Sequence, residues 1–484
     1  MKAPGRALHH RTAIAALLVA LATAFYLWWE VSRRGIFAYS SVYPISDADE
    51  WRYTACSRLV AHGYALFSQV FSAQPPLLFL SLAGGMRLFG ETILGARAVE
   101  IAFGLVAMLA ASGCAWLLAG RAAAAITAIL LVLTPTFLVY SHTVEAEGPM
   151  LAMTTLALVL ILLHARRPHA FLVVLGGLAL AAAILFKLFA FEAILPAAWI
   201  ILLSGASVRL ALRNLVMFVV SVAVPLVADF GLVSPRQQWQ QVVSLHSAAA
   251  SATIPNVTPV GTIVWQYLSL DLGLSVLAAA GLVMLAIRRR WLEFGFLVLW
   301  LPGSLLMLVV FHPLFQHHLA ILAAPIAISA GIAVAMLGEC LLAREWKYAV
   351  LPAIAVLIYL VLVPRLAHDD RHVLVAVPSM QNDPLVLWVQ HHAGPDQFVA
   401  ADDLKVVDVA GRLVPPPLCD PSNVRLRAGY LTGAEAIRAT RRYHTRLVVS
   451  SFGIYAQIPG YLPWAASHYR AVPAPEGAKA FVSR

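Results

Sequence analysis

Apolar residues in this chain neither alternate nor recur every third or fourth position. They come in unbroken blocks, and roughly 20 such residues let a helix cross a hydrocarbon core of about 30 Å. About eleven blocks meet that criterion, at residues 12–29, 92–119, 122–140, 148–164, 170–186, 188–204, 211–232, 268–287, 292–311, 319–341 and 348–364. The first follows Lys2, Arg6 and Arg11 with no small-residue cleavage pattern behind it, and reads as a retained span rather than a signal peptide.

Threading the blocks with the amino terminus inside gathers Arg121, Arg166, Arg167, Arg209, Arg213, Arg288 to Arg290, Arg344 and Lys347 on the cytoplasmic side, as the positive-inside rule requires. The opposite loops at 141–147 and 312–318 hold no Lys or Arg. They hold His142, Glu145, Glu147, His312, His317 and His318 instead. Two outer segments are long. One, at 30–91, carries an amphipathic stretch from Trp51 to Tyr64, a Gln74-Pro75-Pro76 break and a short apolar run from Leu77 to Phe89, which predicts two helices lying at the interface. The other, at 233–267, offers Trp239, Trp265 and Tyr267 to the headgroup zone.

After Pro364 the pattern changes to strand-length runs (HVLVAV, QFVAAD, RLVVSS) separated by helix-like stretches such as GAEAIRATRRYH. This predicts a transmembrane domain at 1–364 and a small α/β domain at 365–484, which an odd number of spans places outside. The fold class expected is a polytopic α-helical membrane protein with amphipathic outer-loop helices and a C-terminal extracytoplasmic α/β domain.

Composition agrees. Of 484 residues, 61% are hydrophobic and 12% charged, with a mean hydropathy of +0.80, too little polar surface for a soluble fold. The net charge of +10 is scattered between apolar blocks, which excludes nucleic acid as a partner and leaves the bilayer. Cys114 and Cys340 lie in apolar blocks and read as small fillers. Cys56 and Cys419 fall on the same outer side, but spacing alone does not pair them.

The densest chemistry is Asp47-Ala48-Asp49-Glu50-Trp51-Arg52-Tyr53, with Gln74-Pro75-Pro76-Leu77 following. Carboxylates held at a membrane surface can supply a general base for a lipid-borne substrate. Asp47 or Asp49 equally suits the cap of the helix that follows. DEWRY, the later QPPL and the LGARAVEIAFG run resemble, in order and spacing, the start of the GT-C glycosyltransferases, particularly the protein mannosyltransferase-like and aminoarabinose transferase-like members. The likeness extends from the first span through the outer domain. It implies a membrane glycosyltransferase that moves a sugar from a polyprenyl-phosphate donor to an extracytoplasmic protein, lipid or glycan acceptor with inversion, in the inner membrane of a prokaryote.

The resemblance carries the catalytic carboxylate onto Asp49, with Glu50 as its partner and Asp47 beside them. It brings Glu145 and Glu147, ahead of Pro149, to the substrate. Gln74 stands where related chains carry a phosphate-binding lysine, so the donor phosphate needs another cation, and Lys187, His317, His318 and Arg58 are the candidates. Arg97 is expected to pair with Glu100 three residues on. A divalent metal held by Glu147, His142 and one of the two histidines is a further expectation, although adjacent histidines on a helix point in different directions. Asp402 and Asp403 read as backbone-capping residues at a strand end. Two rivals stand beside the transferase: a non-catalytic scaffold subunit of this fold, and a lipid-linked-glycan transporter or flippase, which would be expected to show inverted repeats.

Overall fold

The computed structural model describes residues 4–31, 38–40, 46–232, 234–254, 259–311, 313–376 and 382–484; His312 lies outside the described residues. Seven helices among the described residues are long and apolar enough to cross a membrane: Thr12–Val31, Ile93–Ala119, Glu147–Arg166, Val208–Gly231, Trp291–Val310, Gln316–Leu342 and Trp346–Val363. Five shorter apolar helices join them. Four of these come from blocks expected to span, and local backbone chemistry explains the two that break. The 122–140 block divides into Arg121–Val132 and Pro135–Tyr140, because the residue before a proline is driven out of the helical region, and Thr134 is extended with ψ 115°. The 188–204 block opens as a 3-10 turn, Leu188–Ala193, after an extended Lys187.

Burial orders the bundle. In the most apolar 18-residue window of Gln316–Leu342, 94% of the residues are buried and the helix forms the centre, whereas in the windows of Thr12–Val31 and Trp346–Val363 only 17% are, and these helices present apolar side chains outward. Small residues let the central helices approach. A β-carbon on Gly281 would sit 2.0 Å from the Ser329 carbonyl oxygen, and one on Gly331 2.2 Å from Thr127 Oγ1.

Outside the bundle, α1 (Ser46–Ala61) and α2 (Pro76–Phe89) pack on each other, joined by the 62–75 segment. Strand β1 (Ala38–Ser40) pairs antiparallel with β2 (Leu374–Ala376). The HVLVAV run therefore returns to the first outer segment and does not enter the C-terminal sheet, and the helix before it continues through Val373. That sheet contains β3 (Val399–Ala401), β4 (Leu447–Ser450), β5 (Tyr469–Val472) and β6 (Lys479–Ser483) in the order β3-β4-β6-β5. Only β3 and β4 run parallel, and the helices Leu404–Val409 and Gly433–Arg442 lie on the crossover between them. Asp402 accepts hydrogen bonds from Ser450 Oγ at 2.7 Å and from the backbone N–H groups of Ser451, Phe452 and Tyr455, while Asp403 caps Leu404–Val409. Both are backbone-satisfying residues, as their strand-end position suggests.

A disulfide and two ion pairs, one of them Arg52–Asp420 at 3.9 Å, hold this sheet region to α1. Cys56 and Cys419 form a disulfide with a Cα separation of 5.3 Å, so these two cysteines are a cross-link across 363 residues of sequence. Arg58 ion-pairs with Asp408 at 3.7 Å and with Glu91 at 3.7 Å. Non-reducing peptide mapping of the purified protein is expected to recover a Cys56–Cys419 linked fragment. Cys419→Ser is expected to remove about 2–4 kcal/mol of stability, read as a lower unfolding midpoint that reductant lowers no further.

Candidate functional site

Helix α1 begins in the acidic motif and presents Asp49, Arg52 and Tyr53 to a cavity of about 220 Å³ beneath the C-terminal sheet region. Asp49 ion-pairs with Arg52 three residues on, the spacing that places two side chains on one helical face. Asp49 Oδ2 stands 3.8 Å from His317 Nε2, too far for a hydrogen bond. Asp47 lies in the same helix, with its side chain outside the described residues.

Glu50 takes a different part from the one expected. It is fully buried, does not line the cavity, and receives Arg97 Nε and Nη2 as a fork at 2.7 Å each. The expected Arg97–Glu100 pair gives way to this fork because a bidentate guanidinium–carboxylate pair is stronger than a helical i,i+3 contact. Glu50 Oε1 also accepts the Val144 N–H at 3.1 Å. Glu50 thereby positions the 141–146 loop against α1.

That loop delivers Glu145 and Glu147. Glu147 opens the helix Glu147–Arg166, where a carboxylate suits the positive end of the helix dipole, and it ion-pairs with Lys187. Lys187 reaches it because its own backbone is extended at the end of Ala170–Phe186, and it is 2% exposed. Glu145 is fully buried, and neither carboxylate oxygen has a hydrogen-bond partner among the described residues. Burial pushes the Glu145 carboxyl well above the usual carboxylate range, with the Asp49 and Glu147 charges adding to it.

His317 and His318 sit on a 3-10 segment, Gln316–Leu322, with their rings edge to face at 4.4 Å. His317 Nδ1 is 3.9 Å from Glu145 and its Nε2 3.8 Å from Glu147; His318 Nε2 is 3.7 Å from Glu147. Both rings thus approach one carboxylate, contrary to the divergence expected of adjacent helical residues. Gln74 lines the cavity and donates to the Tyr53 hydroxyl at 3.1 Å. Arg58 is not in this group, since its guanidinium is held by Glu91 and Asp408. His142 is not either: its Nδ1 lies 3.0 Å from Glu30, and it belongs to neither group of potential metal ligands.

Those groups are Glu147 with His317 and His318, and Asp49 with Glu145 and His317; within each, one ligand atom per residue lies within 4.8 Å of the others. His318 Nδ1 accepts the Phe315 N–H at 3.1 Å, which puts the proton of a neutral ring on Nε2 and leaves it no lone pair for a metal. The Asp49, Glu145, His317 set has no such obstacle. The unpartnered oxygens of Glu145 and an O,O,N donor set fit a hard or borderline divalent cation.

The profile of a family described as dolichyl-phosphate-mannose-protein mannosyltransferase matches residues 73–231. No curated protein matches the chain by sequence. Among solved structures, ArnT from Cupriavidus metallidurans bound to undecaprenyl phosphate superposes with a TM-score of 0.65 at 15% identity, covering 97% of this chain and 98% of that one. The archaeal oligosaccharyltransferase AglB from Archaeoglobus fulgidus, in complex with an inhibitory peptide and a dolichol-phosphate, gives 0.56 at 14% identity over 98% of this chain and 74% of that one. The arabinofuranosyltransferase AftD from Mycobacteria gives 0.51 at 14% identity over 97% and 41%. The chain has the GT-C glycosyltransferase fold. The carboxylate motif and the 313–318 segment line one cavity, and Glu145 and Glu147 approach it from behind His317, at 3.9 and 3.8 Å from its ring nitrogens. Sequence reasoning assigned nothing to Arg52 and Tyr53, although both stand inside the DEWRY motif, and it missed Asp420 and Asn423, which reach the same cavity from the C-terminal region.

The Glu50–Arg97 fork yields a stability test. Arg97→Met strands a buried carboxylate and is expected to cost about 3–5 kcal/mol. Adding Glu50→Gln to it should recover part of that loss, measured as unfolding midpoints of the single and double variants.

Proposed function

We propose that this protein is an integral-membrane glycosyltransferase that transfers a sugar from a polyprenyl-phosphate donor to an acceptor arriving from outside. The observation that carries the reading is the convergence of Asp49, Glu145, Glu147, Lys187 and His317 in one buried group, drawn from segments far apart in sequence. Burying carboxylates together, one of them without a hydrogen-bond partner, costs stability that a scaffold subunit has no use for. The superposition with an undecaprenyl-phosphate-bound structure supports a polyprenyl carrier.

The seven long helices and four of the five shorter ones make eleven crossings when Pro76–Phe89 lies at the interface. With the amino terminus inside, this topology puts the C-terminal sheet and the cavity on the outer side. Asp49 is the general base, since its Oδ2 has no hydrogen-bond partner among the described residues while Oδ1 is engaged by Arg52. It accepts the proton of an acceptor hydroxyl, whose oxygen bonds to the anomeric carbon as the carbon–oxygen bond to the lipid phosphate breaks. The phosphate departs with the electron pair, and a single displacement inverts the centre. Lys187 takes the role of the missing lysine at position 74 and meets the negative phosphate, with His317 beside it. A divalent cation, where bound by Asp49, Glu145 and His317, would add Lewis-acid stabilisation to the phosphate oxygens.

Asp49→Asn keeps the shape and removes the base, so turnover of a polyprenyl-phosphate sugar is expected to fall at least ~100-fold with an unchanged unfolding midpoint. Normal turnover would move the base elsewhere, to Asp47 in the first instance. Lys187→Ala is expected to weaken undecaprenyl-phosphate binding and slow transfer together, with Lys187→Arg retaining part of both; an unchanged affinity and rate in Lys187→Ala would leave it a helix anchor. Topology has its own check. Arg438→Cys, at an exposed site, should react with an impermeant thiol reagent in intact cells, and labelling that needs permeabilisation would reverse the orientation.

A further inference from the structure

The C-terminal sheet region does more than roof the cavity. Its residues Asp420, Ser422, Asn423 and Val424 form one wall of it, which meets Asp49 through the shared Arg52. The wall is held rigidly. Cys419, immediately before it, is cross-linked to Cys56, and the buried Arg425 just after it donates to the carbonyls of Pro417, Asp420 and Tyr430 and to Glu435 while stacking at 3.6 Å on Phe71. Two oxygens in this segment, Asp420 Oδ1 and Asn423 Oδ1, are buried with no hydrogen-bond partner among the described residues. Asp420 Oδ1 stands 3.9 Å from Arg52 Nε, so Arg52 lies between the two carboxylates of Asp420 and Asp49. Lys187, the other cation of the group, is bound to Glu147 on the far side of the histidines.

We propose that Asp420 and Asn423 select the acceptor, and that the wall takes a hydroxyl-bearing, non-anionic saccharide. The inference rests on the transferase reading and names the substrate class of that site. Unpartnered carboxylate and amide oxygens are hydrogen-bond acceptors, which hydroxyl groups satisfy and a phosphate or carboxylate does not. The free charge at this end is negative, so an anionic acceptor meets repulsion there, and the charge repulsion works as selection against the wrong ligand. The cavity is thereby polarised. Lys187, paired with Glu147 behind the histidines, meets the donor phosphate, and the Asp420 and Asn423 oxygens, where Arg52 is shared between Asp420 and Asp49, meet the acceptor.

The test measures direct binding to the full-length protein in lipid nanodiscs, with methyl α-mannoside as the neutral probe and mannose 6-phosphate as the anionic one. The wild type is expected to bind the neutral probe at least about tenfold more tightly than the anionic one. Asn423→Ala should weaken neutral binding about tenfold, the effect of one lost hydrogen bond in a dry site, and Asp420→Asn should narrow the gap between the probes. Asn423→Asp, which keeps the size and adds charge, should widen it. Undecaprenyl-phosphate affinity reports the donor side separately and should move less than about twofold in Asn423→Ala. Equal binding of the two probes, no neutral binding, or an unchanged Asn423→Ala would each overturn the wall assignment. Loss of undecaprenyl-phosphate binding in the wild type, with saccharide binding intact, would instead overturn the transferase reading.

Discussion

The site depends on one buried fork, Arg97 to Glu50. A guanidinium removed from water needs charge and hydrogen-bond acceptors, and Glu50 supplies both as a fork while accepting the Val144 N–H. Three things are fixed at once: the seating of α1 on the helix Ile93–Ala119, the face of α1 turned to the cavity, and the path of the loop carrying Glu145. Because Glu50 is turned inward, Asp49, one residue earlier, is turned to the cavity. The adjacent acids in the motif thus divide their work by helical geometry, one holding the site and the other lining it.

Charge balance accounts for the rest of the cluster. Asp49 and Glu147 each have a cation in contact, Arg52 and Lys187, whereas Glu145 has none and its carboxyl is pushed towards the neutral form by burial. Pairing two of the acids with cations limits the cost of burying all three together. On the proposed function, a donor phosphate would add negative charge to this group. The group can accommodate it only where a cation is available to share, which makes the position of Lys187 more informative than its charge.

Much of this was legible in the sequence, and the parts that were not have identifiable reasons. Blocks of apolar residues give helix positions directly, but Thr134 and Lys187 break two of them, because a following proline in one case and an extended residue before a 3-10 turn in the other override apolar length. Asp49, Glu145, Glu147, Lys187, His317 and Gln74 do come together, since each sits at a helix end or in a loop at the same end of the bundle. Arg58 and His142 obey the same rule and still miss the cluster. Their partners, Asp408 and Glu30, lie 350 and 112 residues away, and no local pattern announces a long-range ion pair. The Cys56–Cys419 link was invisible for the same reason.

The disulfide, the Arg58–Asp408 pair and the Arg425 web all connect α1 or the segment after it to the C-terminal sheet region, and none of them touches the bundle core. A roof attached only to the bundle could shift relative to Asp49 by the slack of a loop. Attached to α1 itself, it moves with the helix that carries Asp49 and Arg52. The distance from Asp49 to the Asp420–Val424 wall is then set by short covalent and ionic contacts rather than by the long connection through the membrane. Under the proposed transfer reaction that distance has to stay constant, because reacting atoms have to meet within about 3–3.5 Å. The cross-links stand where that requirement falls.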